Sequence, residues 1–327
     1  MIGLRARLLP TVLLGVCVAL TSATYLLLAL AWSTPGYVRT DDETFWLSTW
    51  PALFLAFPIV GALIARRHPG NAIGWLFCAV GLLWTLSFIL AAYSSYGLKA
   101  HPGALPGAVT ANWFQSWAFF PNLGLVLIYV PLLFPDGRLP ARRWQAVLWC
   151  GAAAIALVTA VFAFEPGPLD DTIGGFPNPY GILPDALSIG FAIVGFPLVL
   201  GSAIAAAVAL ALRLRRAQGA EREQLKWIAF AAAILAIAFA CHLTLQMSGL
   251  ATHVEWYGVL WGLALCGIPL AAGIAILRRG LFDIDVVVNR TLVYAALTII
   301  VGGGYVLLVT SRRYSSPGAW AAAPRAR

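Results

Sequence analysis

The chain has 327 residues, of which 61% are hydrophobic and 10% charged, and its formal net charge is +8. A soluble domain carries about a quarter charged residues, so this composition, with a mean hydropathy of +0.85, excludes an ordinary water-soluble enzyme or binding module. The excess of base lies in short loops between long apolar runs, so it argues for a membrane surface and against a nucleic-acid partner.

A helix needs roughly 20 apolar residues to cross a hydrocarbon core of about 30 Å. Nine runs qualify: 8–32, 46–65, 72–94, 113–134, 145–164, 186–212, 227–248, 256–277 and 292–310. The expected fold is therefore all-α, a polytopic transmembrane helix bundle of about nine spans with short loops. The first run follows Arg5 and Arg7 and continues through Trp32, too long for a secretory signal, so an uncleaved first span is expected. Pro51 and Pro58 interrupt the second span, and Pro121 and Pro131 the fourth. Such breaks are tolerated where neighbouring helices re-satisfy the freed carbonyls. Cys17, Cys78, Cys150, Cys241 and Cys266 all fall in apolar runs and form no CxxC pair. They are expected to act as small apolar side chains, not as zinc ligands or disulfides.

Loop charge sets the orientation. With the N-terminus inside, the inner loops hold 15 Lys and Arg residues, while the outer loops before residue 311 hold only Arg39 and Lys99. The positive-inside rule then gives a multi-pass protein of the plasma membrane with a cytoplasmic N-terminus. Inner loops are expected at 66–72, 135–144, 213–226 and 278–291. Trp32, Trp46, Trp113, Trp117 and Trp256 fall at outer ends of spans, and Trp75, Trp144 and Trp227 at inner ends, where indole rings prefer the headgroup level. Trp84 lies in mid-span and is expected to pack between helices. The longest outer loop, 166–185, is too short for a separate sensor domain but long enough to fold as a lid over the bundle.

Little in the chain looks catalytic. A phosphate-cradling GxxxxGK[ST] loop is absent, and Gly302–Gly304 and the Gly258/Gly262 pair read as close helix packing. His68 sits in the turn RRHPGN, not in a phosphoacceptor helix. His242, with Gln246 one turn on, is the intramembrane polar pair. A functional polar site and an interhelical hydrogen bond are both open for it. No carboxylate lies deep in a span, so a proton- or sodium-coupled path lacks its usual carrier. No catalytic, cofactor-binding or metal-binding residue is expected, and no cofactor.

The stretch with the most character is 277–294, LRRGLFDIDVVVNRTLVY, which joins the last two apolar runs. Leu281, Phe282, Ile284 and Val286–Val288 are too apolar to lie solvated, since each buried side chain contributes roughly 1.5–3 kcal/mol. A short ordered connector at the cytoplasmic face is expected. If it is helical, Asp285 and Asn289 share a face. Asp283 and Asp285 then have Arg290 or the basic 213–226 loop as partners. Asp283, Asp285, Asn289 and Arg290 are the candidate signal-transmission residues.

Four strings occur in order: RRHPGNAIGWLF at 66–77, LLFPDGRLPARRW at 132–144, EREQLKWIAFA at 221–231 and LRRGLFDIDVVVNRTLVYA at 277–295. Together they resemble the multi-span N-terminal membrane region of actinobacterial sensor histidine kinases of two-component systems. The resemblance covers about 1–310. It implies a sensor-like membrane domain over 1–310, with 311–327 a short basic Arg/Ala/Pro tail. In that family further membrane segment, sometimes a GAF-like domain, a phosphoacceptor helix pair and an ATP-binding domain follow. This sequence shows no phosphoacceptor box and no ATP-binding boxes after Thr310, so autokinase activity transfers to no residue. The expected reading is an input module, either a truncated gene product or a module that acts through a partner. Its expected partners are a lipid bilayer with anionic headgroups and either a second copy of the chain, as a homodimer, or a kinase. A transporter or permease is the second reading and a membrane enzyme the third.

Overall fold

A computed structural model describes residues 2–38, 41–169, 175–247 and 256–277. Over these it is built from ten α-helices: α1 (Ile2–Trp32), α2 (Asp41–Phe54), α3 (Ala56–Arg67), α4 (Ala72–Ser94), α5 (Ala108–Gly124), α6 (Val130–Leu133), α7 (Gln145–Phe164), α8 (Asp185–Arg216), α9 (Gly219–Met247) and α10 (Trp256–Leu277). Among the described residues there is no strand, only an isolated antiparallel bridge between Pro168 and Pro177. These helices form eight segments long and apolar enough to cross a membrane, from Leu8–Trp32 to Leu260–Leu277. They match the first eight expected runs; the ninth, 292–310, and the tail lie outside the described residues.

One span runs further than its apolar pattern suggests, and another is not regular α-helix throughout. α4 continues through a wider π turn, Ser95–Ala100, and stops only at His101-Pro102-Gly103. α5 passes through a second π turn, Leu125–Tyr129, before α6. That turn lies between Pro121 and Pro131, where missing N–H groups leave carbonyls without their i+4 donors.

The interior is organised on α3, α4 and α10. Helices α3 and α4 pack along their length, α1 lies across both, and α10 lies along α2 and α3. Gly61 and Gly74 let α3 and α4 meet backbone to backbone: a Cβ at Gly61 would lie 2.6 Å from the Cys78 nitrogen, and one at Gly74 would lie 2.6 Å from the Ala65 nitrogen. Small residues at crossings are what membrane helices use, because lipid supplies no hydrophobic drive between them. Beside this crossing runs an aromatic chain. Trp50 packs on Phe54 (5.2 Å between centroids), and Phe54 on Trp84 (4.4 Å). Trp84 also meets Phe88 and Phe119, so it does pack between helices. A large apolar surface remains exposed on α1, α8 and α9, with Leu26, Ile193, Leu200, Phe230 and Ile237 among its members. Hydrocarbon is the solvent that suits such a surface.

The break between α2 and α3 falls at Leu55, between Pro51 and Pro58. Two carbonyls beside this break find partners on other helices, although neither is one of those that Pro51 and Pro58 leave without an i+4 donor, Leu47 and Phe54. The Tyr25 hydroxyl of α1 donates to the Ser48 carbonyl (3.0 Å) and accepts from the Ala52 N–H (3.1 Å). The Cys266 thiol of α10 donates to the Leu53 carbonyl (3.5 Å).

Candidate functional site

Three of the four motif strings meet at one end of the bundle. The turn 134–137 follows α6, and Gly137 completes it with φ +72°, a region open to glycine at little cost. A side chain at 137 would strike the Ala72 nitrogen and Asn71 Oδ1, so glycine is also what lets this turn dock on the start of α4. Asn71 holds the dock. Its Oδ1 caps α4 by accepting from the Ile73 N–H (2.9 Å), while its Nδ2 donates to the Pro135 carbonyl (2.8 Å). The adjoining RRHPGN turn is braced by the Trp75 indole, which donates to the Pro69 carbonyl (2.9 Å).

Arg213, in the last turn of α8, reaches the other side of the same turn. Its guanidinium donates to the Phe134 carbonyl (2.6 Å) and to Asp136 Oδ2 (3.2 Å), and lies 3.8 Å from Glu221 Oε1 in the first turn of α9. Its side chain is 17% exposed. Arg213 is therefore not a solvated side chain of the basic 213–226 loop. The reason is local: the Phe134 carbonyl, just past α6, faces the end of α8 and needs a donor. Neighbouring Arg215 and Arg216 are exposed.

From Glu221 the network runs one turn along α9. Gln224 Nε2 donates to the carbonyl of Ala275, in the last turn of α10 (2.8 Å). The helical stretch Glu221–Trp227 does lead directly into the seventh span. Lys226 is paired with Glu223 on the exposed side. One end of the bundle therefore carries a run of polar contacts from Asn71 through the 134–137 turn and Arg213 to Glu221, and, one turn further along α9, the bond from Gln224 to Ala275. Ala275 lies two residues before the fourth string begins. Exposed arginines surround the set, with Arg143 stacked over Trp144 at 5.6 Å. Among the described residues, no three His, Cys, Asp or Glu side chains gather as a metal site.

At the opposite end, the loop after α7 folds back on itself. The Leu169 N–H donates to the Phe176 carbonyl (2.7 Å) and the Asn178 N–H to the Gly167 carbonyl (2.8 Å). Asn178 Nδ2 bonds the Ala163 and Glu165 carbonyls at the end of α7, and Tyr180 lies against Trp113 of α5 at 4.5 Å. The described parts of this loop are thus packed on the ends of α5 and α7.

Of the residues singled out in the sequence, Asp283, Asp285, Asn289 and Arg290 lie outside the described residues. His242 and Gln246 fall in α9, and their side chains lie outside the described ones. Arg213, Asn71 and Gln224 were not singled out. An Asn ahead of an apolar helix is a capping signal, and Gln224 is the one uncharged polar residue in EREQLKW. Nothing in RLRR distinguishes Arg213 from its neighbours. No family model matches the chain, nor does any curated protein or solved structure.

Proposed function

We propose that this chain is a membrane-embedded input module that passes a change in the packing of its spans to the polypeptide after α10. It works as the membrane region of a sensor histidine kinase does, in the plasma membrane, with the contact network on the cytoplasmic side. The observation that carries this reading is the bond from Gln224 to Ala275. Through one turn of α9 it links the contacts that join three motif strings to the last turn before the fourth. Ala275 lies in the last turn of α10, where a carbonyl lacks an intrahelical donor, and this one sits where a shift of α10 would be felt by α9 and, through Glu221 and Arg213, by α8 and the 134–137 turn. The resemblance of the four strings supports the same reading.

Grafting residues 1–310 onto an intact histidine-kinase module tests it. Gln224→Leu, and separately Asp283→Ala with Asp285→Ala and Asn289→Ala, are expected to change kinase output several-fold at normal expression and insertion. Unchanged output in both sinks the transmission reading. The orientation has its own test. A cysteine introduced at Arg216 or within 278–291 is expected to resist an impermeant thiol reagent in intact cells and to react after permeabilisation. Ready labelling from outside would invert the topology.

A further inference from the structure

We propose that the span Trp46–Arg67 is a jointed lever: its half α2 is latched to α1 by the Tyr25 hydroxyl and bears on α10 through Trp50 and Leu53. The joint is visible in the chain path, since α2 ends at Phe54 and α3 begins at Ala56; Leu55 between them donates its N–H to the Ala52 carbonyl (3.3 Å), a tighter i+3 bond, while its own carbonyl accepts from the Ile59 N–H of α3 (3.0 Å). Two prolines weaken it. Pro51 cannot donate to the Leu47 carbonyl, nor Pro58 to the Phe54 carbonyl.

The latch follows from where the Tyr25 hydroxyl sits. Ser48 C=O and Ala52 N–H are an i, i+4 pair that would ordinarily bond directly. The hydroxyl engages both, at 3.0 and 3.1 Å. A side chain that bonds both groups competes with the ladder bond between them and permits a bend at that turn. Ala52 is on the exposed side of the span, where hydrocarbon offers no substitute partner. Without the hydroxyl, the two backbone groups have only each other, and the turn closes.

The load is on α10. The Trp50 ring lies directly over Gly262, and a Cβ there would overlap the ring. Trp50 is 2% exposed. One turn further along each helix, Cys266 bonds the Leu53 carbonyl. Between them these contacts fix α10 to α2 on the side of the joint away from Arg67. Val60 meets Gly273 beyond the joint, so α10 touches both halves, and a change of angle must shift or shear it. The output half of this proposal rests on the input-module reading; the joint does not.

The test uses the full chain in lipid nanodiscs. Spin labels at Thr44→Cys and Arg67→Cys span α2 and α3, with the exposed Cys150 and Cys241 changed to Ser. A straight helix of that length would separate the labelled backbones by about 35 Å. Tyr25→Phe is expected to lengthen the measured distance by closing the Ser48–Ala52 turn. Adding Ala52→Pro removes the donor and is expected to restore the original distance. An unchanged distance in Tyr25→Phe overturns the latch. In the kinase graft, Tyr25→Phe is expected to shift output at least threefold, and Ala52→Pro to bring it back; a merely destabilised bundle would not be rescued by an added proline. Output that ignores Tyr25→Phe, in a graft whose Gln224→Leu form responds, overturns the lever as a transmitter. A graft in which neither these nor the Asp283, Asp285 and Asn289 variant changes output sinks the input-module reading, and the distance alone then decides the joint.

Discussion

Gly61→Ala and Gly74→Ala are each expected to abolish most of the folded protein, although each adds a single methyl group. The added carbon at 61 would sit 2.6 Å from the Cys78 nitrogen and 2.8 Å from the Gly74 carbonyl oxygen; that at 74 would sit 2.6 Å from the Ala65 nitrogen. These neighbours are backbone, so no side chain can turn aside, and α3 and α4 must move apart. Overpacking of a well-filled core typically costs about 1–3 kcal/mol. Here the cost falls at the upper end or beyond, because separating the helices also loosens α1 across them. Gly15→Ala and Gly267→Ala are the controls, with nothing within 4 Å of the added atom. Thermal unfolding in nanodiscs, with yield after solubilisation, reads the difference. Equal behaviour of all four variants would mean that the α3–α4 crossing is looser than described.

Arg213→Ala is expected to have the second largest effect. One guanidinium satisfies a carbonyl and faces two carboxylates from three different segments. Asp136 and Glu221 are 64% and 43% exposed on their side chains, and exposed ion pairs contribute only about 0–1 kcal/mol each. The bond to the Phe134 carbonyl is the valuable one, since a hydrogen bond from a charged donor contributes about 1.5–3 kcal/mol. Arg213→Ala should therefore lower the melting temperature clearly, and Asp136→Asn hardly at all. Arg213→Lys should not restore it, because an ammonium lacks the fork that serves separate partners. A melting temperature equal to the parent's in Arg213→Ala would show that the 134–137 turn holds α8 without it.

The spans were legible because lipid imposes a simple rule, and a run of about 20 apolar residues obeys it visibly. That the second span would be broken near Pro51 and Pro58 was legible as well. Which side chains of other helices would bond the backbone beside the break could not be read. Tyr25 and Cys266 come from opposite ends of the chain, and nothing local to either marks it as the partner of Ser48 or Leu53. The same holds at the basic end. The loop positions followed from charge, but Arg213 differs from Arg215 and Arg216 only in the direction its side chain leaves α8. That direction depends on the helix phase relative to a turn some eighty residues earlier. Asn71 was the most accessible of the missed residues, because a cap is a short-range device. Conversely, the π turns at 95–100 and 125–129 left no trace in the apolar pattern, which is blind to a single extra residue per turn.

The place of α10 also has a consequence for biogenesis. Its seat against α2 is formed by residues made very early, and the Leu53–Cys266 contact bridges a separation of 213 residues. At about 5–20 residues per second, roughly 10–40 s pass between synthesis of the two sides. For that interval Trp50, the Leu53 carbonyl and Val60 present an unfilled seam to the insertion machinery. Substitutions that slow docking at Gly262 or Gly273 thus prolong the period in which the nascent protein is open to proteolytic quality control. They are expected to lower abundance in cells by more than the loss of equilibrium stability alone would account for.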